Sequence, residues 1–285
     1  GRAMFGMGPG ALTADAFKMG IDVSKQRPMM NEAIDVLVPL LKGETVNAST
    51  EWFELRDAQL QMRPYSRPHI EMAVASARSP VGALAAGRHG LGMLCVGTTT
   101  DDGLAAHAKN WQICEGEARK HGKTVNRENW RVVAMMHIAE SREQARRDVR
   151  FGLERWLKYF KEITTFPIVP DDVDDSVDFM IENGIATIGT PDDLIASVER
   201  LWDASLGGFG CIMSFGHNWA DWAATQRSYE LIARYVMPHF QGSLPVRQIS
   251  YDFSANSHAR LAGEAREAVQ REIDKYEGRS PTPAD

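Results

Sequence analysis

The sequence predicts an α/β protein in which a parallel sheet is covered by helices. Short apolar runs have the length of strands, and most of them are followed by a helical repeat of apolar residues. Strands that are apolar throughout and alternate with helices form a parallel sheet. The predicted strands, in chain order, are Ala3 to Met7, His69 to Ala75, Leu91 to Gly97, Val132 to Ala139 and Phe209 to Phe215.

Apolar residues at spacings of three and four predict the helices. The first repeat runs from Met30 to Leu41, and further repeats cover 145–160, 194–202 and 229–237. Helix starts are predicted where a hydroxyl precedes a proline or has a polar partner three residues later. Such starts are Ser79-Pro80, Thr190-Pro191, and Ser141 with Gln144.

The number of strands leaves two architectures open. Five strands suit an open, doubly wound sheet, whereas a closed (β/α)8 barrel needs eight. The sequence starts with Gly1-Arg2, without an initiator methionine and directly before the first predicted strand. The alternative to the open sheet is therefore a barrel whose first three units lie upstream of Gly1.

The interval after the fourth predicted strand is unusually long. It predicts a helix from Ser141 to about Ile163, then an acidic segment, and then a short helix from Val177 to Glu182. Connections of this length are usually lids or mobile loops in a compact domain. An acidic surface excursion without a role in the site is the alternative.

The C-terminal part of the chain is expected to lie outside the sheet. Apolar spacing predicts a helix from Ser257 to Tyr276, docked on the exterior of the fold or across a dimer. Ser280 to Asp285 has the composition of a disordered tail. The predicted domains are therefore 1–242 and a C-terminal extension, 243–285.

Composition excludes several classes of protein. The 285 residues are 44% hydrophobic and 25% charged, so the chain can bury a sizeable core. The formal net charge of −6 comes without a basic stripe, and no apolar run reaches the roughly 20 residues of a membrane span. We therefore expect a soluble, cytoplasmic protein without nucleic acid or membrane partners.

The three cysteines form no disulfide or metal pattern, and motifs of zinc hydrolases, serine hydrolases and NTPases are absent from the sequence.

Two predicted strand ends carry residues suited to a flat or anionic ligand. Gly8 lies in the glycine-rich turn after the first strand, where glycines permit a close approach of a ligand. Ser76 and Ser79 stand between the second strand and a helix start, whose free N–H groups and dipole attract a phosphate. A simple turn at Gly8 and a simple N-cap at Ser79 are the alternatives.

Two further side chains, Arg27 and His217, are candidates for the functional site. Arg27 stands at a predicted helix start, where a cation is unfavourable unless an anion lies nearby. An exposed arginine at a loop end is the alternative. His217 follows the fifth strand at its C-terminal end and is a candidate catalytic group, with a packed or solvent-facing histidine as the alternative.

Several motifs occur together. They are Gly1-Arg2-Ala3-Met4-Phe5-Gly6-Met7-Gly8-Pro9-Gly10 with Arg27 and Glu32, Phe53-Glu54-Leu55, Ala75-Ser76-Ala77-Arg78-Ser79-Pro80, and Ile188-Gly189-Thr190-Pro191. In combination they resemble the bacterial luciferase-like flavin monooxygenases, and the subgroup with limonene and alkanal monooxygenases is most similar. The resemblance runs from Gly1 to about Phe240.

The resemblance implies a (β/α)8 TIM barrel of the luciferase-like type. Strands 4–8 would be present, the barrel would be truncated at its N-terminus, and about 164–184 would be the mobile active-site loop. The implied function is a flavin-dependent monooxygenase that uses reduced FMN and O₂ to oxygenate a small, apolar organic substrate. The implied partners are a flavin reductase that supplies the reduced FMN and a second copy in a homodimer.

The resemblance also implies the cofactor contacts, with the phosphate held by Arg27, Ser76 and Ser79. Gly8 and Pro9 replace a reactive cysteine and a phosphate-contacting arginine of the luciferases, which argues against light emission. Val96 replaces a tryptophan under the flavin ring and keeps that contact apolar. An F420-dependent oxidoreductase of the same superfamily and a non-catalytic flavin-binding barrel are the alternatives. The full implied set is Gly8, Arg27, Ala75, Ser76, Ser79 and Val96.

Overall fold

The computed structural model describes residues 3–77, 79–95, 99–164 and 167–278, with the backbone alone at 243–245. Its strands, in chain order, are β1 (Met4–Met7), β2 (Val46–Ser49), β3 (Glu54–Ala58), β4 (Glu71–Ala75), β5 (Gly92–Cys95), β6 (Trp130–Ile138), β7 (Ala186–Gly189) and β8 (Cys211–Ser214). Its helices are α1 (Thr13–Lys18), α2 (Gln26–Lys42), α3 (Val81–His89), α4 (Asp101–Lys120), α5 (Arg142–Val149), α6 (Leu153–Ile163), α7 (Ser176–Glu182), α8 (Pro191–Ala204), α9 (Trp222–Leu231), α10 (Met237–Gln241), α11 (Ser243–Asn256) and α12 (His258–Tyr276).

Six strands of the described residues form one parallel sheet. Its order is β1-β4-β5-β6-β7, and β8 also pairs with β6. The first half of β6 lies between β5 and β8, whereas its second half, from Met135 to Ile138, pairs with β7. The predicted parallel α/β fold is confirmed, and each of the five predicted strands is found. The closed barrel and its N-terminal truncation stay predictions.

Several elements differ from the expectation, and the following are the ones nearest to the sheet. β7 lies within the interval that the sequence assigned to a long connection, and β2 and β3 form an antiparallel hairpin after α2. The predicted long helix is divided into α5 and α6. The chain turns there because the Gly152 N–H donates to the Trp219 carbonyl at 2.8 Å, and a Cβ on Gly152 would lie 2.1 Å from the Asn218 carbonyl oxygen.

Two apolar cores hold the sheet to its helices. The first joins β4, β5 and the start of β6 to α2, α3 and α4, and at its centre Trp111 stacks on Trp130 with ring centroids 4.9 Å apart. The second surrounds β7 and the start of α6. It consists of Ala139, Ala145, Val149, Leu153, Val169, Val177, Met180, Ile185, Ala186, Ile188 and Trp219.

Two of the predicted helix starts carry the expected caps. The Thr190 hydroxyl accepts from the Asp193 N–H at 3.4 Å, and the Asp193 carboxylate accepts from the Thr190 N–H at 2.9 Å. The Ser141 hydroxyl accepts from the Gln144 N–H at 3.1 Å. Arg142 also donates to Asp193, and this hydrogen bond lowers the pKa of that carboxyl to about 2. The carboxylate therefore stays ionised and links the starts of α5 and α8.

The chain divides into two compact units, Gly1–Ile232 and Ala233–Asp285. The second unit contains α10, α11 and α12, and the predicted C-terminal helix is confirmed as α12. The sequence did not predict α11, whose apolar side chains Val246, Ile249 and Phe253 are exposed. Among the helices of the described residues, none has both the length and the apolar composition needed to cross a lipid bilayer.

Arg127 connects the start of β6 to the loop after α8. Its guanidinium lies 5.2 Å from the Trp111 ring and 5.5 Å from the Trp130 ring. It donates to the Ser205 carbonyl at 3.1 Å and to the Gly208 carbonyl at 2.8 Å. One cation thus covers the central tryptophan pair and holds the chain that leads into β8.

We expect Arg127→Ala to lower the free energy of unfolding by about 2–3 kcal/mol, because two hydrogen bonds from a charged group and a cation–π contact are lost. Urea denaturation followed by circular dichroism measures this change. Arg119→Ala, at an exposed position on α4, is the matched control and should change stability by less than about 0.5 kcal/mol. Equal midpoints for the two variants would contradict the role assigned to Arg127.

Candidate functional site

The C-terminal ends of β1 and β4 bring two predicted residues side by side. Met7 pairs with Val74, and the next residues, Gly8 and Ala75, remain adjacent. A Cβ on Gly8 would lie 3.2 Å from the Ala75 Cβ, which is tighter than an ordinary side-chain contact. These small residues keep the C-terminal edge of the sheet open at this point.

The turn after β1 also meets the start of α2. Gly10 has a φ of 89°, in the left-handed region that favours glycine, and a Cβ there would lie 3.0 Å from the Gln26 Nε2 atom. Gln26 is the first residue of α2, and Arg27 follows it with an exposed side chain. No described residue forms an ion pair with Arg27, so its charge remains available to a ligand.

Ser76 is the best-defined polar group of this edge. It is 2% exposed, and its N–H donates to the Leu94 carbonyl at 2.8 Å, which fixes its backbone against β5. Its hydroxyl is buried and has no hydrogen-bond partner among the described residues. A buried hydroxyl without a partner costs roughly 1–3 kcal/mol, so this position is suited to a ligand that supplies the missing bond.

Helix α3 starts directly against the end of β4. Gly82, in its first turn, has no room for a side chain, since a Cβ would lie 2.0 Å from the Ala75 carbonyl oxygen. The first turn carries no acidic residue, so its dipole is not compensated within the helix. The Ser79 hydroxyl accepts from the Val81 N–H at 3.3 Å, but the N-cap of α3 is Pro80, so Ser79 lies one residue before the cap.

Sequence reasoning missed Asn110. This buried residue of α4 donates from its Nδ2 to the Ala77 carbonyl at 2.8 Å and so holds the segment between Ser76 and α3. The signal available in the sequence was an amide between Ala108 and Trp111 on the apolar face of a helix. A buried polar side chain in such a place needs a partner, and here the partner is the loop of the site.

The end of β5 offers no reactive group among its described residues. Val96 and Arg78 lie outside the described residues. Cys95 is buried, and its sulfur accepts from the Trp130 Nε1–H at 3.1 Å. Burial raises the pKa of the Cys95 thiol to about 12, so it is a neutral thiol at neutral pH and a poor nucleophile. Cys211, in contrast, is exposed although it lies in an apolar run.

His217 is held by its neighbours on both sides of its ring. Its Nε2–H donates to the Met136 carbonyl at 2.9 Å, and its Nδ1 accepts from the Trp219 N–H at 3.4 Å. The ring stacks on Trp219, with centroids 3.9 Å apart. Burial lowers the pKa of His217, so the ring is neutral at neutral pH. Both ring nitrogens have backbone partners, which favours the packing alternative, and a catalytic role for His217 stays a prediction.

Comparisons with known proteins agree on one family. The model of the luciferase-like monooxygenase family matches residues 1–206. Limonene 1,2-monooxygenase of Rhodococcus erythropolis is 42% identical over 275 residues, which cover 96% of this chain and 70% of the relative. At this level of identity the similarity extends over both the sheet and the helices around the site.

Solved structures share the fold. The oxygenating constituent of 3,6-diketocamphane monooxygenase from Pseudomonas putida, in complex with FMN, matches with a TM-score of 0.59 and 21% identity, covering 82% of this chain and 70% of that chain. An F420-dependent secondary alcohol dehydrogenase in complex with an F420–acetone adduct matches with a TM-score of 0.58 and 17% identity, covering 82% and 69%. At these identities the matches confirm the fold alone.

We expect Gly82→Ala to lower the free energy of unfolding by about 1–3 kcal/mol, because the new methyl group would displace α3 from the Ala75 carbonyl. Gly116→Ala, in the middle of α4, is the matched control: its nearest atom is the Arg119 Nη2 at 4.0 Å, so the change should stabilise the helix by up to about 1 kcal/mol. Thermal and urea unfolding of both variants measure whether each substitution lowers or raises the free energy of unfolding. Stabilisation by both substitutions would contradict the close packing of α3 on β4.

Proposed function

Since the chain belongs to the luciferase-like monooxygenase family, we propose that it uses reduced FMN and O₂ to oxygenate a small, apolar organic substrate. The observation that carries the proposal is the buried Ser76 hydroxyl beside the start of α3, which has no hydrogen-bond partner within the described part of the chain. A phosphate at this point would accept a hydrogen bond from the hydroxyl and would face the positive end of the helix dipole.

The residues around Ser76 fit the remaining parts of an FMN molecule. Arg27 places a cation at the start of α2, next to the turn that follows β1, and no residue in the described ranges forms an ion pair with it. Charge-assisted bonds from arginine to phosphate are short and strong, so Arg27 would complete the phosphate site. Gly8 and Ala75 present no bulk at the edge between β1 and β4, which allows a planar group to approach the backbone. The resemblance to the family also assigns an apolar contact with the ring to Val96, which lies outside the described residues.

The chain's own residues would bind and orient the cofactor. When bound, reduced FMN supplies the electrons with which O₂ is activated. The proposed roles of the protein are to hold the phosphate through Ser76, Ser79 and Arg27, and to keep the segment after β4 in place through Asn110. A separate reductase would supply the reduced FMN, and the active form would be a homodimer, as the resemblance to the family implies.

A second candidate is an F420-dependent oxidoreductase. The likeness to the F420-dependent secondary alcohol dehydrogenase supports it, since that structure shares the fold of this chain. An anion site at Ser76 suits either cofactor, because both carry phosphate. Equilibrium titration of the protein with reduced FMN and with F420, under the same buffer conditions, separates the two. Tighter binding of F420, together with substrate oxidation by F420 in the absence of O₂, would select this second candidate.

We expect Arg27→Ala to weaken the binding of FMN by roughly 1.5–3 kcal/mol, or about ten- to 150-fold, because a charge-assisted contact to the phosphate is lost. Calorimetric titration with FMN and with riboflavin, which lacks the phosphate, measures the effect. Riboflavin affinity should not change. Arg119→Ala is the matched control. If Arg27→Ala weakened the binding of FMN and of riboflavin equally, Arg27 would not be part of the phosphate site.

Ser76→Ala should separate ligand binding from stability. Without a ligand, removing this hydroxyl, for which the described residues offer no partner, should leave the free energy of unfolding unchanged or raise it. The affinity for FMN should fall by about 1 kcal/mol or more, because the phosphate loses a hydrogen bond. Unfolding and FMN titration of the same preparation measure both quantities. Lower stability together with unchanged FMN affinity would identify Ser76 as a structural residue.

A further inference from the structure

A pair of polar side chains joins α2 to α3. The His89 Nε2 atom, at the end of α3, lies 2.7 Å from the Asp35 Oδ1 atom of α2. An ionised carboxylate can only accept a hydrogen bond, so the His89 ring donates it. The His89 side chain is largely buried and that of Asp35 is half-exposed. The Arg88 Nη1 atom, 3.9 Å from the same oxygen, adds a longer ion pair. Asp35 therefore holds the last turn of α3 through two neighbouring residues.

Both helices start at the same edge of the sheet. Gln26, the first residue of α2, lies against the turn after β1, where a Cβ on Gly10 would be 3.0 Å from its Nε2 atom. Gly82, in the first turn of α3, lies against the Ala75 carbonyl at the end of β4. Since β1 and β4 are parallel neighbours, and both helices pack on the first core, α2 and α3 run side by side in the same direction.

The pair of Asp35 and His89 lies at the same depth in both helices. Asp35 is eight residues beyond Arg27 on α2, and His89 is eight residues beyond Val81 on α3. A helix rises about 1.5 Å per residue, so the pair lies about 12 Å along the axis from each of these starting residues. Residues at positions i, i+4 and i+8 follow one ridge of a helix. Contact between Asp35 and His89 therefore places Arg27 level with Val81.

Apolar packing alone defines the height of α2 less sharply. The buried residues of α3 are all glycine or alanine, namely Gly82, Ala83, Ala85, Ala86 and Gly87. Side chains this small form shallow ridges, and hydrophobic contact has no preferred direction. A hydrogen bond, in contrast, has a narrow range of lengths and angles. The bond between Asp35 and His89 therefore supplies the directional contact that resists sliding of α2 along α3.

The proposed phosphate site requires the two helix starts to be level. It takes Arg27 from α2 and Ser76 and Ser79 from the chain before α3. Axes of packed helices are about 8–10 Å apart, so side chains from level starts converge on one anion, whereas a slide of one turn, about 5 Å, would separate them. We propose that Asp35 and His89 are positioning residues that hold the two halves of the phosphate site at one height. Both lie about two turns away, so neither touches the ligand. The inference rests on the proposed function, since it concerns the phosphate site of that enzyme.

Flavins with and without a phosphate test this role. Asp35→Ala, His89→Ala and the double variant are titrated calorimetrically with FMN and with riboflavin. We expect each single variant to bind FMN about three- to tenfold more weakly, while its affinity for riboflavin changes less than about twofold. The double variant should bind FMN about as weakly as Asp35→Ala, because both substitutions break the same contact.

A conservative variant and a matched control complete the set. His89→Gln keeps a side-chain N–H donor and should bind FMN within about twofold of the parent. Arg227→Ala removes an ion pair of 2.6 Å between α9 and Glu140, away from α2 and α3, and should leave the affinity for FMN unchanged. Circular dichroism and thermal unfolding first establish that each variant is folded. If Asp35→Ala does not fold, His89→Ala and His89→Gln carry the test.

Inorganic phosphate, as a third probe, separates the positioning role from the flavin assignment. If the parent binds neither flavin but binds inorganic phosphate, and both single variants bind it more weakly, the flavin assignment fails and the positioning role stands. The inference is overturned if folded variants keep the parent's ratio of FMN to riboflavin affinity, or if His89→Gln binds FMN as weakly as His89→Ala. It is also overturned if the parent neither prefers FMN to riboflavin nor binds inorganic phosphate.

Discussion

The length of β6 is the constraint on which most of this structure depends. A strand of nine residues is long enough to have different neighbours in its two halves. Its first half completes the sheet between β5 and β8, and its second half extends past them to pair with β7. The second core, around β7 and α6, exists because this extension provides a surface to pack against. Without it, the Trp156 and Phe160 rings of α6 would not lie beside the Phe215 ring.

The anion site depends on a different feature, the small residues at the end of β4. Ala75 and Gly82 allow α3 to start in contact with the strand, and this contact aims the helix dipole at Ser76. The backbone of Ser76 is bound to β5, and its buried hydroxyl has no hydrogen-bond partner among the described residues. On the proposed function, a ligand that bonds to this hydroxyl would offset the cost of burying it. Such a cost is common where selection acts on binding rather than on folding.

Some elements of the molecule could be predicted from the sequence, and others could not. The strands could be predicted because their signals, apolar runs bounded by glycines and helix starts, are local, and the anion site stays a prediction from the same kind of local signal. β7 was missed because four residues between glycines carry little periodicity. The hairpin was missed because β2 and β3 are mostly polar and lie largely at the surface. The break before α6 depends on Gly152 meeting the Asn218 carbonyl, a contact between residues far apart in the chain.

The proximity of Phe160 and Phe215 is a further feature that the sequence did not predict. In the sequence, Phe160 is one of several apolar positions of an amphipathic helix, and Phe215 is the last residue of a predicted strand. Only the second core brings them together, and no local pattern predicts that core. His217 was a candidate because it follows a strand end. In the structure, Trp219, two residues later, holds the His217 ring by stacking on it and by donating its N–H to Nδ1. A position at the C-terminal edge is thus a weaker guide to function than the partners of the ring nitrogens.

The proposed phosphate site and the rings of Phe160 and Phe215 belong to different elements, which has a consequence for substitutions. The proposed site takes its residues from β4, α3 and the start of α2, and the rings belong to α6 and to the end of β8. Since the two sets share no residue, a substitution at Phe160 or Phe215 does not touch the proposed phosphate site. Independent sites add their free energies with little coupling. On the proposed function, substitutions in β8 and α6 would therefore change the contacts at that end of the sheet without changing the proposed phosphate site.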